Sequence, residues 1–181
     1  MTDEAAAAVA TQGEAPPAFI GNTIQVSVVT DDLYRGIDQL VPLGIGPFAV
    51  FRVTPENCTE MRYDGKPAEY SMTLAFTTTN NMMWEVVQPH FGPNIYQDFL
   101  DAGHFGLHHV GADIGDIPYE ERIAGLVERG YTEIQGGVAF NGDVPFAYFH
   151  NGSAEAPIVE IFQFPDGFDP QPDEIYPAPA A

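Results

Sequence analysis

Alternating apolar and polar residues predict a chain built mainly from short β-strands joined by a few helices. Three helices are expected, the first capped by Asp31 or Asp32 and ending at Leu40, the others over residues 94–102 and 118–129. The strand-like runs, which are rich in β-branched and aromatic residues, lie at residues 23–29, 48–53, 69–78, 82–88, 106–113, 132–140, 144–150 and 157–164.

The order of these elements occurs twice. Each half reads β-α-β-β-β, the first over about residues 20–103 and the second over 104–165. A half of this size cannot cover its own sheet, so we expect two βαβββ modules to form one shared, cupped mixed sheet, an α+β fold. Closure within one chain and closure across a homodimer both remain open.

The two ends differ in composition from the predicted domain of residues 18–170. Residues 1–17 are Ala, Gly, Pro and acidic residues, a composition typical of disorder, and residues 171–181 form a Pro-rich tail that cannot continue a central strand. The amino terminus lacks the basic and apolar regions of a signal peptide, and no apolar stretch is long enough to span a bilayer. We therefore expect a cytoplasmic protein.

The charge balance narrows the classes of partner. Six Lys and Arg residues stand against 26 Asp and Glu, a formal net charge of −20. Phosphate groups are bound by basic side chains, so neither nucleic acid nor a membrane surface is an expected partner. The expected partner is a small molecule. The single Cys58 excludes an internal disulfide and a thiolate metal cluster.

Four polar residues interrupt the apolar strands, where an unpaired polar group would cost about 1–3 kcal/mol. They are Gln25, Glu85, His109 and Glu160. Period-2 alternation gives each of them two neighbours on its own face. The predicted faces are Gln25 together with Ser27 and Val29, Glu85 with Met83 and Val87, His109 with Leu107 and Gly111, and Glu160 with Ile158 and Phe162.

The placement of these four residues follows the repeat. Gln25 and His109 lie in the first strand of a module, each seven residues before an Asp (Asp32 and Asp116), whereas Glu85 and Glu160 lie in the last strand. A pseudo-twofold axis would bring all four side chains to one point. Two carboxylates, an imidazole and an amide oxygen suit one divalent cation such as Zn, Ni, Co, Mn, Fe or Mg, and suit Cu(I) poorly.

Two further histidines lie close to this set. Alternation predicts that His108 points to the face opposite His109 and packs under the helices. His104, in a loop expected near the mouth of the site, is a candidate second acid or base.

Several segments together resemble the vicinal oxygen chelate superfamily, in particular its glyoxalase I and methylmalonyl-CoA epimerase branch. They are Gln25-Val-Ser-Val-Val-Thr-Asp-Asp32, Gly44-Ile-Gly-Pro-Phe48, Trp84-Glu-Val-Val-Gln-Pro89, Gly106-Leu-His-His-Val110 and Val159-Glu-Ile-Phe-Gln163. The resemblance covers nearly all of residues 20–165. It implies that Gln25, Glu85, His109 and Glu160 are the metal ligands, with Gln25 as in eukaryotic-type glyoxalase I, whereas the epimerases usually carry His there.

This resemblance predicts proton abstraction next to a carbonyl, with a metal-stabilised enolate, as in an isomerase, epimerase or lyase. Glu160 is the first candidate for the base and Glu85 the second, because a carboxylate can leave a metal more easily than His109 can. With so few basic residues, a clamp for the coenzyme A pyrophosphate is hard to assemble, so the expected substrate is small and largely apolar.

The same resemblance leaves two alternative functions open, and the residues favour each of them less. A metal-dependent extradiol dioxygenase would favour two histidines and one carboxylate around iron, but only one of the four residues is a histidine. A ligand-sequestering protein of the bleomycin-resistance type would need no metal cluster, and the four polar residues argue against it.

Overall fold

The computed structural model describes residues 19–80, 82–113 and 117–178. The segment 1–17 predicted to be disordered, Asn81, Asp116 and the last three residues of the tail lie outside the described residues. The strands are β1 (Asn22–Val29), β2 (Phe48–Val53), β3 (Thr59–Tyr63), β4 (Lys66–Pro67), β5 (Ser71–Thr79), β6 (Met82–Phe91), β7 (Gly106–Asp113), β8 (Thr132–Ala139), β9 (Val144–His150), β10 (Ile158–Phe162) and β11 (Glu174–Tyr176), and the α-helices are α1 (Leu33–Leu40), α2 (Ile95–Asp101) and α3 (Tyr119–Glu128).

The described strands form one mixed sheet in the order β11-β2-β5-β6-β1-β7-β10-β9-β8-β3-β4. The first strands of the two modules, β1 and β7, pair antiparallel at the centre. The last strands flank them, β6 parallel to β1 and β10 parallel to β7. The predicted α+β fold of two βαβββ modules is confirmed, and the modules join within one chain.

Two helices cover the outer face of the sheet. The side chain of Asp32 accepts a hydrogen bond from the backbone N–H of Arg35 and so caps α1 as predicted. The apolar stripe of α1, which includes Leu33 and Ile37, packs against Val86 of β6. Helix α3 packs in the same way on the second module, with Tyr119 and Leu126 against Ala147, Phe149 and Ile161.

The inner face of the sheet surrounds a second apolar core. Val29, Val87, Phe146 and Phe162 contribute to it from strands of both modules, and α2 adds Ile95 and Tyr96. Because neighbouring strand residues point to opposite faces, Val86 belongs to the outer core and Val87 to the inner one. No helix among the described residues is long and apolar enough to cross a membrane.

Three short strands were not predicted. In β3 the register against β8 shifts between Thr59 and Arg62, and Glu60 has a φ of 52°, so no regular alternation marks this segment. Strand β11 lies within the predicted Pro-rich tail and pairs with β2 at the edge of the sheet, the position in which neighbouring prolines are tolerated.

Candidate metal centre

Four adjacent central strands each contribute one polar side chain to the inner face. Cross-strand pairing brings Ser27 of β1 beside Glu85 of β6 on one side and beside His109 of β7 on the other. Two residues further along β7, on the same face, Gly111 pairs with both Gln25 and Glu160. The predicted faces of Gln25, Glu85 and Glu160 agree with the structure.

The structure brings the four predicted ligands together in a buried cluster. The Nε2 atom of Gln25 donates to Oε2 of Glu85 at 3.2 Å and to Oε2 of Glu160 at 3.0 Å. The Nε2 atom of His109 lies 3.2 Å from each of the same two oxygens. Candidate ligand atoms of Glu85, His109 and Glu160 lie within 4.8 Å of one another.

Burial and charge act in opposite directions on the titratable groups of this cluster. Burial alone would lower the pKa of His109, but its contacts with Glu160 and Glu85 outweigh burial and raise the pKa to about 9. Burial raises the pKa of Glu160, and the nearby charge of Glu85 adds to this, although His109 and Tyr148 counteract it. The protonation states of His109 and Glu160 therefore depend on each other.

The residues fit a divalent cation. Although Nε2 of His109 is close to two carboxylate oxygens, it has no partner with hydrogen-bond geometry, and it is fully buried. A cation held between the three side chains would give this nitrogen a partner and offset the repulsion between Glu85 and Glu160. Gln25 fits only after its amide turns over, since its NH₂ group rather than its oxygen faces the carboxylates.

The cluster opens on a narrow, partly open cavity with a volume of about 40 Å³. Among the described residues, no Lys or Arg lines this cavity. Its polar side chains are Gln25, Glu85, Glu160 and Tyr148. The remaining lining is aliphatic and aromatic and includes Leu74, Phe76, Phe140, Phe146, Phe162 and Phe164.

The sequence showed Tyr148 as an aromatic residue of a strand but did not indicate its hydrogen bonds. Tyr148 pairs with Glu160 across β9 and β10, and its hydroxyl group is close enough to oppose the rise in the pKa of Glu160. The hydroxyl of Tyr96, on α2, donates in turn to the hydroxyl of Tyr148 at 2.7 Å. The strand register of Tyr148 opposite Glu160 was the one signal that could have identified this chain of contacts.

The expected direction of His108 and the expected place of His104 were wrong, although His108 does pack against a helix, through Tyr96 and Phe99 of α2. His108 does not point away from His109: the register of β7 against β1 shifts at this residue, and the Nδ1 atoms of the two rings lie 2.9 Å apart. Leu107 is 71% exposed instead of sharing the buried face. His104 lies away from the cavity mouth, in a separate surface pocket that His108 also lines.

A cupped sheet of two βαβββ modules with a buried carboxylate–imidazole cluster defines a protein of the vicinal oxygen chelate type. The family model of the Glyoxalase/Bleomycin resistance protein/Dioxygenase superfamily matches residues 24–148. The chain belongs to this superfamily. No curated protein sequence matches the chain.

Solved structures share the fold at low sequence identity. A hypothetical protein from Bacillus halodurans C-125 is 16% identical with a TM-score of 0.60, covering 82% of this chain and 98% of its own. Methylmalonyl-CoA epimerase from Mycobacterium tuberculosis is 12% identical with a TM-score of 0.58, and the match covers 84% of this chain and 94% of the epimerase. A variant of the Streptomyces coelicolor epimerase in complex with 2-nitronate-propionyl-CoA is 12% identical with a TM-score of 0.54, covering 82% and 98%.

Proposed function

We propose that the chain is a metal-dependent enzyme that removes a proton next to the carbonyl group of a small, largely apolar substrate, in an isomerisation, epimerisation or lyase reaction. The observation that carries this proposal is the convergence of Glu85, His109 and Glu160 within 4.8 Å, beside a cavity that both carboxylates line and whose other lining is mostly apolar. Buried ionisable groups with mutually perturbed pKa values, placed in a cleft, are typical of catalytic sites.

In this proposal Glu85, His109 and Glu160 hold one divalent cation (Zn, Ni, Co, Mn, Fe or Mg), with Gln25 as the fourth ligand after its amide turns. When bound, the cation supplies Lewis acidity to a substrate oxygen. Of the four, Gln25 is the weakest ligand, because its neutral amide must give up two hydrogen bonds to turn.

Glu160 is the proposed base. It lines the cavity, and its raised pKa favours a carboxylate that accepts a proton. Tyr148, its partner on the neighbouring strand, lines the same cavity and limits the directions open to this carboxylate. Glu85 is the alternative base, since it lines the same cavity.

The charge of the surroundings favours a substrate without an anionic group. Arg52 lines the pocket next to the cavity, and four aspartates line that pocket with it: Asp143, Asp166, Asp169 and Asp173. A pyrophosphate placed there would meet more negative than positive charge. The coenzyme A ligand of the Streptomyces coelicolor structure is therefore a poor guide to the substrate of this chain.

Elemental analysis of the purified protein, followed by a proton-exchange assay, tests the proposal. We expect about one divalent cation per chain, and cation-dependent exchange of solvent deuterium into the α-position of an apolar carbonyl compound. The test variant is Glu160→Gln, which should keep the fold and lose the exchange of deuterium into the carbonyl compound.

Other results would favour the alternatives. Absence of cation binding together with tight binding of apolar ligands, unchanged by removing the four side chains, would support a sequestering protein. Consumption of dioxygen with a catechol substrate would support a dioxygenase.

A further inference from the structure

A β-bulge places His108 beside His109. Across β1 and β7, Ser27 pairs with His109 and Val28 with Leu107, so His108 is the extra residue on β7. A bulge breaks the alternation of side chains between the two faces of a sheet. The ring of His108 therefore turns to the inner side, where its Nδ1 atom lies 2.9 Å from Nδ1 of His109.

The contact between the two Nδ1 atoms defines which nitrogen of each ring carries a hydrogen. A hydrogen bond between two imidazole nitrogens needs one donor and one acceptor. The Nε2 atom of His109 faces Glu85 and Glu160, so a cation there would take its lone pair and leave the hydrogen on Nδ1. Nδ1 of His109 then donates, and Nδ1 of His108 accepts.

His108 is itself held in one orientation. With Nδ1 accepting, its hydrogen lies on Nε2, and the ring lies beside Ile95 at the start of α2, in the same surface pocket. The N–H of Ile95 is fixed by Oε1 of Gln135 at 3.0 Å. The rings of Phe99 and Tyr96 pack against His108, at centroid distances of 4.9 and 5.5 Å.

We propose that His108 is a positioning residue for His109: it accepts the Nδ1 hydrogen of His109 and thereby directs Nε2 of that ring toward Glu85 and Glu160. The contact between the two rings is independent of the proposed function, whereas the direction of the hydrogen bond and its effect on cation binding rest on that function. A neutral imidazole replaces the carboxylate or carbonyl oxygen that more often orients a metal-binding histidine.

Two substitutions at the same position separate positioning from packing. His108→Leu keeps apolar bulk and removes the acceptor, so we expect cation affinity to fall by about 10–100-fold, the range for loss of such an orienting partner. His108→Asn offers an amide oxygen near the place of Nδ1 and should stay within about threefold of the unsubstituted chain. His104→Leu, in the same surface pocket but outside the hydrogen bond, is the control and should leave the affinity unchanged.

Competition with a chromophoric chelator measures the affinities for Zn²⁺ and Co²⁺, and the Co²⁺ absorption spectrum reports the geometry of the site. Nitrogen-15 NMR of histidine-labelled, cation-free protein reads the hydrogen bond directly. We expect a protonated Nδ1 with slow hydrogen exchange at His109, lost in His108→Leu and retained in His108→Asn.

The inference would be overturned if the His108→Leu variant and the unsubstituted chain had equal affinities, Co²⁺ spectra and His109 nitrogen shifts. His108 would then be a packing residue. Absence of cation binding by the unsubstituted chain would overturn the proposed function instead. The NMR measurement would still decide whether His108 holds the Nδ1 hydrogen of His109.

Discussion

The amide of Gln25 donates to Oε2 of Glu160 at 3.0 Å, although the two residues are 135 positions apart in the chain. The same amide nitrogen donates to Glu85 at 3.2 Å. In the cation-free protein Gln25 thus acts as a hydrogen-bond donor that holds two carboxylates of like charge together. The residue expected to be the weakest ligand is therefore the one whose hydrogen bonds join the two carboxylates.

Replacing Gln25 with Glu tests this double role. A third carboxylate would replace a donor in a buried cluster, and an unpaired buried charge costs several kcal/mol, so we expect the free energy of unfolding of the cation-free protein to fall by about 2–4 kcal/mol. A saturating divalent cation should restore most of this loss. Urea unfolding with and without Zn²⁺ measures both effects, and Gln39→Glu on the exposed face of α1 is the control. Equal stability of cation-free Gln25→Glu and the unsubstituted chain would contradict the prediction.

The two carboxylates of the cluster should differ when each is replaced by its amide. Glu160→Gln removes the proposed base and should lower solvent-deuterium exchange into substrate by about 10²–10⁴-fold, the usual contribution of a general base. Glu85→Gln should weaken cation binding and leave exchange largely intact once the site is saturated. Exchange rates measured at saturating cation separate the two roles. The reverse pattern would assign the base to Glu85.

Much of the fold and the faces of three predicted ligands could be read from the sequence because they depend on local alternation. Strands such as β6 and β10 have apolar neighbours on both sides of a single Glu, so the face of Glu85 or Glu160 follows from period 2 alone. The pairing of β1 with β7 follows from the repeat, because the first strands of two similar modules meet at the pseudo-twofold axis.

Features that depend on the partner strand could not be read in this way. The bulge at His108 is a shift in the register of β7 against β1, and nothing in the apolar pattern of β7 marks it. The contact of Tyr148 with Glu160 depends on the register of β9 against β10. Strand β11 lies in the Pro-rich tail, whose prolines predict only that the segment is not a central strand of the sheet.

Cation binding should depend on pH through His109. Its contacts with Glu160 and Glu85 raise its pKa to about 9, above the ordinary value of 6.5, so its proton stabilises the cation-free fold below pH 6.5 and this contribution is lost as pH rises through about 9. A cation that takes Nε2 must displace this proton. Affinity should therefore rise with pH, by up to about tenfold per unit, until the pH passes about 9, and then level off.

Calorimetry of Zn²⁺ binding at pH 7 in two buffers with different ionisation enthalpies checks this prediction. We expect the release of close to one proton per cation bound, with His109 as its main source. In His109→Gln, which has no imidazole to deprotonate, this release should largely disappear along with most of the affinity. Binding to the unsubstituted chain without proton release would show that His109 is not protonated before the cation arrives.

Gly111 tests how tightly the centre of the cluster is packed. It lies between Gln25 and Glu160 in the sheet, and an added Cβ would come within 2.8 Å of both the Cβ of Gln25 and the ring of Phe162. Gly111→Ala should therefore push Gln25 away from the carboxylates, lowering the free energy of unfolding by about 1–3 kcal/mol and weakening cation binding.

The matched control for this substitution is Gly36→Ala in α1. Its added Cβ would come within 3.0 Å of Thr30 and 3.1 Å of Val86, contacts on the outer side of the sheet. It should change stability by a small amount in either direction while leaving the Zn²⁺ affinity unaltered, because Val86 points away from Glu85 and the cavity. If Gly111→Ala binds Zn²⁺ as tightly as the unsubstituted chain, the position of Gln25 does not matter to the cation and the proposed fourth ligand is wrong.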